Sequence, residues 1–193
     1  MKTSQQSATA LILTASPRSG GNSTILAEQI GKGLESAGIK VETVRLHGKN
    51  IQPCRGCDYC QGAGSPGCVI KDDMQALYPV IKESAIIVYA TPIYWFTVSA
   101  QLKLFMDRCY ALATPEVNFL EGKRMAVALA YGDTDPFTSG CVNALRTFQD
   151  SFRYLDADFV GSVYGSASDA GEITENAEAM KKAFELGKAL AAS

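Results

Sequence analysis

The chain has 193 residues, with 18 basic and 20 acidic side chains and a net charge of −2. This length supports one sizeable hydrophobic core, so we expect a single domain over residues 1–193. No basic run or stripe is present, which argues against nucleic acid as a partner. The first ten residues carry one lysine among mainly polar side chains, and the apolar run that follows is short. The sequence therefore predicts neither a signal peptide nor a membrane span, and it indicates a cytoplasmic protein.

Apolar, β-branched runs alternate with segments of helical periodicity along the chain. Strands are predicted at 9–16, 40–47, 85–92, 124–132 and 159–166. Helices are predicted at 22–38, 72–83, 98–109, 139–154 and 172–192, with Asp72 and Asp73 at the N-terminus of the second. Five strands that alternate with five helices predict a parallel sheet with helices on both faces, a three-layer α/β/α sandwich. We expect the flavodoxin-like strand order 2-1-3-4-5, in which ligands bind between strands one and three.

The segment after the first strand, SPRSGGNST (16–24), leads from a strand into a helix N-terminus. Its small hydroxyl and glycine residues and its arginine are typical of a loop that wraps a phosphate group. It is neither a Walker loop nor a dinucleotide-binding fingerprint, because the glycine spacings of both are absent. An ordinary turn with a capped helix is the alternative interpretation. The candidate phosphate-binding residues are Ser16, Arg18, Ser19, Asn22, Ser23 and Thr24.

The segment after the third strand, TPIYWF (91–96), places consecutive aromatic residues at a strand end. They cannot all point into the core, so a planar ligand is the expected occupant, with cover of the sheet edge or a dimer contact as alternatives. Together the two segments describe a phosphate at one end of a cleft and a flat ring at the other, which is the shape of FMN. The candidate ring-binding residues are Pro92, Ile93, Tyr94, Trp95 and Phe96.

Three ordered motifs, SPRSGGNST, PCRGCDYC…GCVIKDDM and TPIYWFTVSAQLKLFMDR, resemble the NADPH-dependent FMN reductase family, in particular its flavodoxin-like branch that contains the iron-sulfur flavoproteins. The resemblance implies FMN with its phosphate on the first segment and its ring on residues 92–96. It also implies that residues 131–134, including Gly132 and Asp133, close the other side of the ring. NAD(P)H as co-substrate and a homodimer or homotetramer follow from the same resemblance. No catalytic side chain is assigned, because the flavin itself accepts the hydride.

Four cysteines lie in the loop at 48–71, inserted after the second strand with the spacing C-x2-C-x2-C-x7-C. Three closely spaced thiolates and a distant fourth suit a [4Fe-4S] cluster, but the gap of seven is longer than the resembled branch implies, and no proline follows the last cysteine. A loop without metal is the alternative that we favour, and zinc fits the spacing least. Cys109 and Cys141 lie apart and are expected to pack in the core. The candidate ligands are Cys54, Cys57, Cys60 and Cys68.

These features predict an FMN-dependent oxidoreductase that passes electrons from NAD(P)H to a quinone, a flavin or another small acceptor. An iron-sulfur flavoprotein fed by a ferredoxin-like donor and a flavodoxin-type electron carrier remain alternatives, as does a non-catalytic interaction domain. Lys103 and Asp107 are expected to form an architectural ion pair. His47, the only histidine, is expected on the surface.

Overall fold

A computed structural model describes residues 9–192 and contains a parallel sheet at its centre. The five parallel strands run in the order β2-β1-β3-β5-β6, and a short β4 pairs antiparallel with β3. With β4 set aside, this is the predicted flavodoxin-like order 2-1-3-4-5, which is confirmed. The strands are β1 (Thr9–Thr14), β2 (Lys40–Arg45), β3 (Ile86–Tyr94), β4 (Thr97–Val98), β5 (Arg124–Tyr131) and β6 (Asp158–Ser166).

Helices cover both faces of the sheet and confirm the predicted three-layer sandwich. They are α1 (Asn22–Ser36), α2 (Met74–Glu83), α3 (Ala100–Arg108), α4 (Cys141–Tyr154) and α5 (Ala177–Ala192). One apolar core joins α1 and α5 to the sheet, and a second joins α2, α3 and α4 to the opposite face. The α1–α5 contact is close because both helices carry a glycine there: a Cβ on Gly33 would lie 2.1 Å from the carbonyl oxygen of Phe184. Within the described residues, no helix combines the length and hydropathy of a membrane span.

The strands β1, β3 and β5 are buried along nearly their whole length, as expected for strands covered on both faces. Alternate side chains of β3 pack into the two cores. Ile87 and Tyr89 belong to the core with α2–α4, whereas Val88 and Ala90 belong to the core with α1 and α5. This alternation decides which face of the sheet each side chain near the strand end can reach.

Several predicted boundaries shift by one or two residues, and two further differences are explained by side-chain hydrogen bonds. Val98 was expected in a helix but lies in β4, because α3 starts only after Ser99, whose N–H donates to Thr91 Oγ1 at 3.0 Å. The last predicted helix is interrupted: a short 3₁₀ turn at 172–175 precedes α5. That turn is held from α1, where Asn22 Oδ1 accepts the N–H of Ile173 at 3.2 Å.

Candidate functional site

The carboxyl ends of β1, β3, β5 and β6 surround a cleft at one edge of the sheet. Its first chamber has a volume of about 260 Å³ and is lined by residues 16, 18, 21–23, 92–94, 130–132 and 167–168. The segments 16–24 and 91–96 therefore meet in space, as predicted, although β3 extends to Tyr94 and includes residues 92–94. Their junction is fixed by backbone contacts, since the N–H of Ala15 donates to the carbonyl oxygen of Ala90 at 2.8 Å.

The first segment folds tightly over the start of α1. Gly21 is the residue before the helix, and a Cβ there would lie 2.2 Å from Ser16 Oγ, so only glycine allows this approach. Ser16 Oγ in turn accepts the N–H of Arg18 at 3.2 Å. The first backbone hydrogen bond of the helix joins the N–H of Ile25 to the carbonyl oxygen of Gly21. The N–H groups of residues 22–24 precede it and have no partner inside the helix, which makes this end a potential anion site.

Ser23 provides the clearest sign of a missing partner in the cleft. Its side chain is 1% exposed, and within residues 9–192 its Oγ has no hydrogen-bond partner. A buried hydroxyl is almost always hydrogen-bonded in a folded protein, so its partner is expected to arrive with a ligand. The hydroxyl lies at the N-terminus of α1, where a phosphate oxygen is the favoured acceptor.

Asn22 and Arg18 connect this segment to the loop after β6. Asn22 Nδ2 donates to the carbonyl oxygens of Ala167 and Asp169 at 3.2 and 2.8 Å. Arg18 Nη1 donates to the carbonyl oxygen of Ser168 at 2.6 Å. The amide of Asn22 is therefore committed to positioning the loop, and its predicted direct contact with a phosphate is not supported. The guanidinium of Arg18 keeps further N–H groups beside the chamber.

Two predicted phosphate ligands lie outside the cleft. Ser19 is exposed, since it sits on the outer side of a turn that passes through Gly20 with a φ of 64°. Thr24 is half-buried in the first turn of α1 but does not line either chamber. Successive residues of a helix are rotated by about 100°, so the side chains of Ser23 and Thr24 cannot share one direction.

The aromatic segment forms a strained hairpin rather than an open loop. Tyr94 pairs with Thr97, and the two residues between them, Trp95 and Phe96, have φ values of 47° and 63°. Positive φ at both positions is the mark of a type I′ turn, which normally takes Asn-Gly. Aromatic residues are unfavourable in this conformation, and such strain is often retained at functional sites. The side chain of Trp95 is 91% exposed.

The start of α4 holds this hairpin in place. Gly140 has a φ of 78°, and a Cβ there would lie 2.5 Å from Phe96 Cα. Asn143 Nδ2 also donates to the carbonyl oxygen of Phe96 at 3.3 Å. The hairpin forms one wall of a second chamber of about 320 Å³, which shares Ile93, Tyr131 and Gly132 with the first. The two chambers are therefore parts of one cleft.

The segment after β5 forms the opposite wall of the second chamber, as the resemblance implies for Gly132 and Asp133. The Asp133 carboxylate turns back on its own loop, where it accepts the N–H of Thr134 at 2.7 Å. Tyr131 is buried and contacts both chambers. Burial, reinforced by nearby Cys141 and Tyr164, raises the pKa of Tyr131, so this phenol is a neutral hydrogen-bonding group at neutral pH.

Sequence reasoning missed the contribution of the loop after β6. Ala167 and Ser168 line the first chamber, and Glu172 fixes their loop by accepting the N–H groups of Ser168 and Asp169 at 2.6 and 2.8 Å. These two hydrogen bonds lower the pKa of Glu172. The signal was present in the small residues ASDAG that follow the last strand, because that strand end lies at the same edge of a parallel sheet.

The cysteine loop is anchored by a buried ion pair. Arg108 donates to both carboxylate oxygens of Asp72, at 2.5 and 3.1 Å, and both side chains are fully buried. Arg108 also donates to the carbonyl oxygen of Gln52 at 2.9 Å, while Asp72 accepts the N–H groups of Gln52 and Met74. Burial alone would raise the pKa of the Asp72 carboxyl group. The hydrogen bonds from Arg108 and from the backbone outweigh this effect, so the pKa of Asp72 is lowered. Asp72 therefore does more than cap α2, the role predicted for it.

The four cysteines of this loop are free thiols that are spread apart. Cys54 and Cys57 are exposed, whereas Cys60 and Cys68 are partly buried. In the described part of the chain, no three Cys, His, Asp or Glu side chains are gathered closely enough to hold a metal ion. The loop in this arrangement does not fit a four-thiolate site, and the predicted ligand set stays a prediction. Cys141 is buried, as expected, and Cys109 is partly buried.

The remaining sequence expectations concern the surface. Lys103 Nζ pairs with Asp107 Oδ1 at 2.6 Å on the exposed face of α3, which confirms the architectural pair. His47 is exposed after β2, also as predicted.

The cleft suits a ligand with a phosphate at one end and a flat ring at the other. The unpartnered Ser23 hydroxyl, the first turn of α1 and Arg18 provide donors for a phosphate, and the second chamber is bounded by aromatic side chains. Both chambers lie at the switch point between β1 and β3. Fold and site together define a flavodoxin-like protein whose cleft fits FMN.

The chain belongs to the NADPH-dependent FMN reductase family, because the sequence model of that family matches residues 8–172. An iron-sulfur flavoprotein of Archaeoglobus fulgidus is 42% identical over 120 residues, which cover 62% of this chain and 60% of that protein. YwqN of Bacillus subtilis, named as an NAD(P)H-dependent FMN-containing oxidoreductase, is 30% identical over 182 residues, which cover 92% of this chain and 95% of YwqN. These matches confirm the family resemblance and support the expected FMN.

A solved structure of an NAD(P)H:quinone oxidoreductase from Methanothermobacter marburgensis has the same fold. It superimposes with a TM-score of 0.74 at 21% sequence identity, and the match covers 95% of this chain and 96% of that chain. At this identity the likeness supports the three-layer architecture and the strand order.

Proposed function

We propose that this protein oxidises NAD(P)H and passes the electrons to a small acceptor, such as a quinone or a free flavin. The observation that carries the proposal is the cleft in which the segments after β1 and β3 meet, with the buried and unpartnered hydroxyl of Ser23 at its phosphate end. Bound FMN would supply the chemistry, since its ring accepts a hydride and releases electrons singly or in pairs. The chain's residues bind and orient the reactants.

The phosphate end is proposed to work through electrostatics that the fold has arranged in advance. The N–H groups at the start of α1 and the hydroxyl of Ser23 provide donors at the same end of the cleft, and the guanidinium of Arg18 adds positive charge there. Asn22 contributes indirectly, because its three hydrogen bonds fix the loop at 167–173 against this segment.

The ring end is proposed to admit a second planar molecule. Trp95 and Phe96 line the second chamber and are 91% and 56% exposed. Aromatic side chains that remain this exposed can stack on a nicotinamide or an acceptor ring. The same exposure supports a homodimer or homotetramer in which a neighbouring subunit adds a wall to the cleft.

Steady-state turnover tests the proposal directly. Protein saturated with FMN is mixed with NADH or NADPH, and the loss of absorbance of the reduced nicotinamide is followed with and without menadione. We expect menadione-dependent oxidation of at least one of the two nicotinamides. Tight FMN binding without any NAD(P)H oxidation would instead support an electron carrier, and a failure to bind FMN would contradict the cleft assignment itself.

An iron-sulfur flavoprotein is the second candidate, favoured by the four cysteines at 54, 57, 60 and 68 and by the relative in Archaeoglobus fulgidus. A ferredoxin-like donor would then replace NAD(P)H as the source of electrons. Anaerobic reconstitution with iron and sulfide separates the two candidates. We expect flavin bands alone, with iron well below one atom per chain. Stoichiometric iron that is lost in Cys57→Ser but kept in the matched Cys141→Ser variant would favour the second candidate.

A further inference from the structure

Charge is segregated along the cleft. Of the described residues, Arg18 is the only charged one that lines the first chamber, and Asp133 is the only charged one that lines the second. Because the two chambers share Ile93, Tyr131 and Gly132, the cationic wall and the anionic wall belong to one continuous space. A ligand that spans the cleft therefore meets positive charge at its phosphate end and negative charge at its ring end.

The charge of Asp133 is not neutralised by its surroundings. Its carboxylate accepts the N–H of Thr134 at 2.7 Å and the hydroxyl of Thr134 at 3.4 Å. Among the residues that the structure describes, no lysine or arginine forms an ion pair with it. The backbone beneath it is fixed from the end of β6, because Ser166 Oγ donates to the carbonyl oxygen of Asp133 and Ser168 Oγ donates to that of Gly132. The fold thus holds an uncompensated carboxylate beside the second chamber.

A second carboxylate adds to the negative potential at this end. Asp135 Oδ2 accepts the hydroxyl of Thr138, a residue on the wall of the same chamber, at 2.8 Å. Hydrogen bonds from the backbone and the hydroxyl of Thr138, and from the N–H of Phe137, lower the pKa of Asp135, so this group is ionised at neutral pH. No lysine or arginine of the described chain lines the second chamber to offset the two carboxylates.

We propose that the second chamber selects electron acceptors by charge, binding neutral planar acceptors and disfavouring those that carry an anionic group on the ring. Asp133 is the specificity-determining residue, and Asp135 reinforces it. This inference rests on the proposed redox function and narrows its acceptors to an uncharged quinone in place of a free flavin phosphate. The ring of a reduced nicotinamide is itself neutral, so the two carboxylates do not oppose its entry.

Two quinones that differ by one charge test the proposal. Protein saturated with FMN and kept oxidised is titrated with 2-hydroxymethylanthraquinone and with anthraquinone-2-sulfonate, which share the ring and the position of the substituent. Binding is followed through the flavin absorbance, so no electron transfer is required. The wild type should bind the neutral quinone about 5-fold more tightly or better, the effect of two like charges about 4 Å apart in water. Raising NaCl from about 0.05 to 0.5 M should shrink this preference about twofold or more.

Three variants assign the preference to one side chain. Asp133→Asn keeps an oxygen that accepts the N–H of Thr134 but removes the charge, and it should reduce the preference to about twofold or less. Asp133→Lys should invert the preference, so that the sulfonate binds more tightly. Asp158→Asn removes the same charge at the start of β6, at the opposite edge of the sheet, and it should keep the wild-type preference.

Equal binding of both quinones by the wild type, or a preference for the neutral quinone that persists in Asp133→Lys, would overturn the proposal. The same holds if neither quinone binds. Oxidation of NAD(P)H with menadione then separates the two levels of inference. If the wild type still catalyses it, the proposed function stands and only the selection by charge is wrong, whereas its absence would remove both.

Discussion

Replacement of Ser23 by alanine should have opposite effects on the protein without FMN and on the complex. In the free protein, the Ser23 hydroxyl is buried and unpaired, so its removal eliminates a desolvated polar group. Alanine is also the better helix former at this first-turn position. We expect the free energy of unfolding without FMN to rise by about 1 kcal/mol.

In the FMN complex, the same substitution should weaken binding. The hydroxyl is expected to donate to a charged phosphate oxygen, and a hydrogen bond to a charged group contributes about 1.5–3 kcal/mol. Its loss corresponds to a rise in Kd of about 10- to 150-fold. A residue whose role is only structural would not combine higher stability of the free protein with weaker ligand binding.

The assay combines urea unfolding of FMN-free protein with a titration of FMN followed by flavin fluorescence. Ser36→Ala is the matched control, because Ser36 lies at the other end of α1 and its exposed hydroxyl donates only to the carbonyl oxygen of Gly33. The control should leave the Kd for FMN within about twofold of the wild type, since it touches no phosphate donor. A Ser23→Ala variant that binds FMN like the wild type, or that is less stable without FMN, would refute the assigned role.

Three further predictions concern the anchor, the hairpin and the phosphate segment. Asp72→Asn should lower the free energy of unfolding by about 3 kcal/mol, because it breaks a buried ion pair, whereas Asp107→Asn on the exposed pair should cost less than about 1 kcal/mol in urea unfolding. The pKa of Asp72 is lowered in the folded state, so the difference in free energy of unfolding between the wild type and Asp72→Asn should be complete above the ordinary carboxyl pKa. This difference should disappear as the pH falls through the lowered pKa. A difference that grew in acid would contradict this. The double variant Trp95→Asn, Phe96→Gly should raise the urea midpoint of unfolding, because it relieves about 1 kcal/mol or more of turn strain. It should also lower the rate of NAD(P)H oxidation. A double variant that is less stable than the wild type would count against the strained turn. Gly21→Ala should weaken FMN binding more than tenfold in the same fluorescence titration, because its Cβ would lie 2.2 Å from a hydroxyl oxygen of the same segment, and unchanged affinity would show that the segment is not held rigidly.

The fold could be predicted because its strands and helices follow from local sequence patterns that do not depend on the rest of the chain. Buried parallel strands need nearly continuous apolar runs, and helices need apolar residues at a period of 3.6, so both were readable along the chain. The clearest boundary errors lie where a hydrogen bond from outside the element sets its limit, as Thr91 does for the start of α3 and Asn22 does for the turn before α5. Periodicity does not register such side-chain partners, whether they lie eight residues away, as Thr91 does from Ser99, or 151 residues away, as Asn22 does from Ile173.

The site was only partly predictable for the same reason. The sequence by itself determined the architecture and two of the segments that line the cleft, since each lies at the end of a strand whose position is set by local hydrophobicity. Only the tertiary structure decided that the Asn22 amide holds a loop 145 residues away, that Trp95 and Phe96 occupy a strained turn, and that the Ser23 hydroxyl is buried without a partner among the described residues. Which polar groups find partners depends on what the packed fold brings beside them, and that information is spread over the whole chain.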